Sequence, residues 1–169
     1  MTTVCRRYAT ASSVKADSMK KRTFLILLIL VVAFIWGHSL IPLTSSAEES
    51  LSVMRILQKA LDVLHIPITL TDHIVRKLAH FTEHAVLGLV MGLYIYPKSV
   101  ADISRRRRLI CALIPVAVGF MIGFLDETIQ LFTGRGASIT DVWIDFAGVV
   151  TGAGAAFVIA LLMTRKKRE

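Results

Sequence analysis

Cysteine is nearly absent from this chain. Cys5 lies in the N-terminal segment and Cys111 inside an apolar run, so the pair gives neither a disulfide framework nor a metal-binding spacing. There is no Gly-x-Ser-x-Gly nucleophile elbow and no phosphate-binding P-loop, which removes two common routes to a catalytic assignment. Low-complexity tracts and long internal repeats are also missing. Polar residues are in short supply: 54% of the 169 residues are hydrophobic. A soluble fold of four apolar helices would need a polar shell that this composition cannot provide.

What the chain does have is four apolar blocks, at about 23–43, 74–96, 109–132 and 142–163. Each has the length needed to cross roughly 30 Å of hydrocarbon. The expected fold is an all-α integral membrane protein of four transmembrane helices forming one domain over 23–163. Residues 1–22 and 164–169 are read as basic tails, the first of them disordered. Met19-Lys20-Lys21-Arg22 ahead of the first block also looks like a translation start. The same block resembles a signal sequence with Ser45-Ser46-Ala47 as a cleavage site, and cleavage would leave three spans in unchanged orientation.

Basic residues cluster in three places: Arg6 to Arg22, the run Arg105-Arg106-Arg107-Arg108 with Lys98, and Arg165 to Arg168. In a four-span protein these segments share one side. The positive-inside rule makes that side cytoplasmic, with both termini there and a bacterial inner membrane as the setting. The net charge of +8 is therefore a topology signal with affinity for anionic lipid, and no nucleic-acid partner is implied. The opposite half holds nine of the twelve acids and all five histidines. Trp36 and Trp143 are expected at the outer interface, and Tyr94 and Tyr96 at the inner one.

Residues 45–65 show an apolar stripe, Leu51, Met54, Leu57, Leu61 and Leu64, that predicts an amphipathic interfacial helix. Ser46 and Glu49 have capping-box spacing at its start, Pro67 is expected to end it, and Asp72 to cap the second span. Glycines four apart, Gly88 and Gly92, Gly119 and Gly123, Gly148 and Gly152, predict close helix packing within the bundle, with homo-oligomerisation as the other use of such faces.

The functional signal is a set of polar residues inside the spans, each costing roughly 2.5–3.5 kcal/mol unless partnered. Lys77, His80, Glu83 and His84 sit at helical spacing in the second span. Asp126, Glu127 and Gln130 lie in the third, and Asp141 and Asp145 in the fourth. At about 1.5 Å rise per residue, all count to one outer depth. Arg135, held between Gly134 and Gly136, joins them as a partner for Asp126, Glu127 or Asp145, in one coupled site with Glu83 and Asp126, or as a carboxylate or phosphate grip. Ser138 and Asp141 have capping-box spacing for the fourth span. His80-Phe81-Thr82-Glu83-His84 matches H-x-x-E-H; a third ligand would have to come from Asp126 or Glu127, and with neither secured by the spacing no metal and no cofactor is expected.

These segments resemble the VanZ-like family of small membrane proteins. The resemblance rests on Lys77 to His84, Leu87-Gly88, Asp126 to Phe132, Gly134-Arg135 and Asp141 to Gly148. Two positions depart from the family pattern: His84 stands where an aromatic residue is common, and Asp145 where asparagine is common. The family is named for a protein that lowers susceptibility to the glycopeptide teicoplanin. The resemblance implies an outer polar site that binds or alters an envelope component, with a lipid-linked cell-wall precursor or the glycopeptide as partner. Two other classes stay open. One is a membrane enzyme acting on a lipid-linked or peptide substrate, for which no motif is specific enough to assign a reaction. The other is a structural helper of a membrane complex.

Overall fold

The computed structural model describes residues 3–41, 43–101, 105–134 and 136–165. The described residues form five helices and no strand: α1 (Thr3–Ser39), α2 (Leu43–Val63), α3 (Asp72–Ala101), α4 (Arg105–Phe132) and α5 (Ile139–Arg165). Segments Ser18–Ser39, Asp72–Tyr96, Leu109–Phe132 and Ile139–Thr164 are long and apolar enough to cross a membrane. Helix α1 continues back from the first of these through the basic segment.

The bundle is apolar outside and partly polar inside. Leu25, Leu30, Phe34, Leu113, Met121 and Leu162 are exposed, while Asp126, Asp145 and His84 are buried. A water-soluble protein would lose stability by that exposure; lipid solvates it at no cost.

Helices α3 and α5 make the broadest contact, with α4 against both and α1 against α3 and α4. Glycine builds the α3–α5 seam. A Cβ on Gly88 would run into the backbone of Val149 and Ala153. One on Gly148 would meet Phe81 and Ala85, and one on Gly152 would meet Ala85 and Leu89. With no side chain at these points the two backbones touch, as the glycine pairs predict. On α4, Gly119 and Gly123 instead receive the side chains of Val149 and Asp145 of α5.

Tyr96 is a core residue and not part of an interfacial belt. It is 3% exposed, and its hydroxyl donates to the Ala112 carbonyl at 3.1 Å. Tyr94 stacks on Phe24 with ring centroids 3.9 Å apart, joining α1 to α3.

Three helix ends differ from their expected chemistry. Helix α2 starts at Leu43, ahead of Ser46, so Ser46 is not its N-cap; the side chains of the expected Ser46–Glu49 box lie outside the described residues. It stops at Val63, four residues before Pro67. His65 adopts φ 55°, with His65 N–H on Asp62 O and Ile66 N–H on Leu61 O, a Schellman closure. Thr71, not Asp72, caps α3: its Oγ1 accepts from Ile74 N–H at 3.3 Å. Asp72 instead pairs with Arg76 at 3.1 Å and accepts from the Ser50 hydroxyl, tying α2 to α3. At α5 the expected cap holds, since Ser138 Oγ accepts from Thr140 N–H at 3.2 Å.

Candidate functional site

The polar residues gather where α1 ends, α3 begins, α4 ends and α5 begins. Among the described residues His80, His84, Asp126, Glu127, Gln130, Asp145 and Ser39 are all buried there. Most come from α3, α4 and α5. Gly123 makes room for them: a Cβ at that position would stand 3.0 Å from Asp145 Cβ and 3.3 Å from His84 Nε2.

His84 and Asp145 form the deepest contact, with Nδ1 and Oδ1 3.2 Å apart. His84 Nδ1 is also 3.0 Å from the His80 carbonyl oxygen. A carbonyl only accepts, so Nδ1 carries the hydrogen and the lone pair of the neutral ring is on Nε2. His80 Nδ1 lies 3.7 Å from Asp126 Oδ2 and 3.8 Å from Asp145 Oδ1, bridging α4 and α5. Gln130 organises the α4 acids. Its Nε2 is 3.1 Å from Asp126 Oδ2 and 3.1 Å from Glu127 Oε1, which commits both amide hydrogens to carboxylates. The same nitrogen is 3.4 Å from Ser39 Oγ on α1. The other Glu127 oxygen accepts from Ser138 N–H at 3.0 Å, fixing the start of α5 against α4.

Two predicted members sit apart from this core. Lys77 pairs with Asp141 at 3.1 Å, a half-buried rim between α3 and α5. Glu83 turns away from Asp126 toward α1, where its Oε1 is 2.9 Å from His38 Nδ1. Adjacent residues on a helix point about 100° apart, so Glu83 and His84 cannot both face α5. In this arrangement Glu83 serves α1, while His80 and His84 face the acids of α4 and α5. Arg135 lies outside the described residues. Gly134 (φ 72°) and Gly136 (φ 79°) on either side have the left-handed backbone that glycine favours.

His38 and Ser39 were absent from the predicted set. His38 links the Glu83 pair to the core, with its ring 6.5 Å from that of His80. The available signal was an isolated polar pair closing an otherwise apolar run, read only as the end of a span.

Beside the cluster, α1, α2 and α3 enclose two adjoining cavities of about 550 and 510 Å³ that share Phe34, Val53, Val75 and Ala79. The first is lined by Leu27, Leu30 and Val86, with Glu83 in its wall; the second reaches His38 and Arg76.

A multi-pass α-helical membrane protein with a polar cluster buried between its spans is the class these features define. The family model VanZ/LLP1 matches residues 24–161, so the chain belongs to the VanZ/LLP1 family. No curated protein and no solved structure matches it.

Proposed function

We propose that this protein sits in the bacterial inner membrane with both termini cytoplasmic. It binds a lipid-linked envelope component at the outer, polar end of its bundle, and this lowers susceptibility to teicoplanin-type glycopeptides. The observation that carries the reading is the groove beneath α2. It is lined by Leu27, Leu30 and Phe34 along its apolar length, carries Glu83 in its wall, and reaches His38 and Arg76 in its second part. An acyl or polyprenyl chain would occupy the apolar length, leaving its headgroup at the charged end. Half-buried Arg76 supports an anionic headgroup, because a guanidinium grips phosphate through paired N–H donors. The basic runs at the opposite end support the orientation.

The test is lipid analysis of the purified protein beside that of its Ala79→Trp variant, which fills the wall shared by both cavities. Isoprenoid-linked phosphates enriched over bulk membrane in the native protein, and lost with teicoplanin protection in the variant, support the reading. Bulk phospholipid alone in both refutes it. The enzymatic reading gains one specific support, since His38 connects the groove to the buried acids through His80. Acid–base chemistry on a groove-bound substrate would then follow, and chemically altered envelope lipid in cells carrying the gene is its signature.

A further inference from the structure

We infer that His80, His84 and Asp145 form a site for a divalent transition-metal ion, with Asp126 and Glu127 supplying charge beside it. The inference rests on the buried cluster and not on the groove, so it stands or falls independently of the lipid reading.

The geometry starts with His84. Its Nδ1–H is committed to the His80 carbonyl, which leaves the Nε2 lone pair outward and fixes the ring. Histidines that hold metals are oriented in this way, with one nitrogen donating to a backbone carbonyl or carboxylate and the other on the ion. His84 is 0% exposed, and its Nε2 has no hydrogen-bond partner among the described residues. Neither has Asp145 Oδ2, on a side chain 1% exposed. Both atoms face one notch: a Cβ on Gly123 would lie 3.3 Å from the nitrogen and 3.4 Å from the oxygen. Two unsatisfied buried acceptors aimed at one place require a donor or a cation there.

His80 completes the set. One ligand atom from each of His80, His84 and Asp145 lies within 4.8 Å of the others, and the same holds for His80, Asp126, Glu127 and Asp145. Ligand bonds of about 2.0–2.2 Å place donors roughly 3–4 Å apart, so the three side chains draw together by up to about 1–2 Å to close on an ion. His80 and Asp145 belong to both groupings, which puts the ion against them.

Charge argues the same way. Three carboxylates, Asp126, Glu127 and Asp145, are buried at one level of an apolar bundle. Among the described residues the ion pairs of Asp126 and Asp145 are with histidines alone. A divalent cation offsets most of that charge and gives the open acceptors a partner. An imidazole and carboxylate donor set without thiolate suits zinc, manganese or iron. The sequence reading assigned no metal because no third ligand was secured; α5 supplies it as Asp145.

The experiment uses full-length protein in detergent on a histidine-free affinity tag, dialysed against Zn²⁺, desalted and analysed for metal. A parallel Co²⁺ sample is read by visible absorption. The expected result is about one zinc per chain, at least tenfold less in Asp145→Asn and His84→Gln, and undiminished zinc in the rim variant Asp141→Asn. Gly123→Ala keeps every ligand residue but sets a methyl 3.3 Å from His84 Nε2 and 3.4 Å from Asp145 Oδ2, in the place of the ion, and should also lose it. It carries the test if a ligand variant fails to fold. Native protein that is helical and monodisperse yet retains neither metal overturns the inference. So does zinc retained equally by Asp145→Asn, His84→Gln and Gly123→Ala.

Discussion

Gly152 and Gly154 lie two residues apart on α5, yet the structure predicts opposite outcomes for the same substitution. A Cβ at Gly152 would enter the Ala85 backbone and crowd Leu89 N, whereas a Cβ at Gly154 would meet nothing within 4 Å. Backbone cannot rotate aside as a side chain can, so Gly152→Ala must push α3 and α5 apart along the seam that also holds His80, His84 and Asp145. Overpacking of this kind costs about 1–3 kcal/mol, or roughly 5- to 150-fold in the folding equilibrium constant. Gly154→Ala adds a methyl toward lipid and removes a flexible residue from a helix, which stabilises by about 0.5–1 kcal/mol. Thermal unfolding of the two variants in one detergent, followed by circular dichroism, reads both signs. Equal melting temperatures, or a loss at Gly154, would refute the close-packed α3–α5 seam.

Glu83 should couple to His38 and not to Asp126. A double-mutant cycle on His38→Ala and Glu83→Gln, scored by folded yield, should be non-additive, and one on Glu83→Gln and Asp126→Asn additive. Gln130→Leu removes the amide hydrogens from two buried carboxylates at once, so it should cost about 2–5 kcal/mol in a detergent unfolding titration. A neutral result would show that the carboxylates have other donors. Lys77→Met should cost less than about 1 kcal/mol in the same titration, because its pair with Asp141 is half-exposed at the rim.

The spans could be read from the sequence because length and uninterrupted apolar character are local properties, and a membrane asks little else of a helix. Glycine spacing likewise announced close packing, although not that Gly152 meets Ala85 while Gly154 meets lipid. Helix periodicity placed Lys77, His80 and His84 on one face, and α5 does meet them there. The same counting failed for Glu83, because its partner sits on α1 and no periodicity within α3 distinguishes α1 from α5. His38 was missed for the matching reason: one polar residue at the end of an apolar run has no pattern until its partner is known. Thr71 and His65 took the terminal roles expected of Asp72 and Pro67 because caps depend on local backbone angles as much as on residue type.

The proposed role at the envelope depends on which way the bundle faces, and thiol labelling of intact cells tests that most directly. With Cys5 and Cys111 replaced by serine, one cysteine is placed at Ser99, beside the arginine run, or at exposed Thr140, at the polar end. A membrane-impermeant maleimide should label Thr140→Cys rapidly and leave Ser99→Cys unreacted until the cells are broken. Rapid labelling at Ser99 with protection at Thr140 would put the polar cluster on the cytoplasmic side and contradict its proposed role at the outer face.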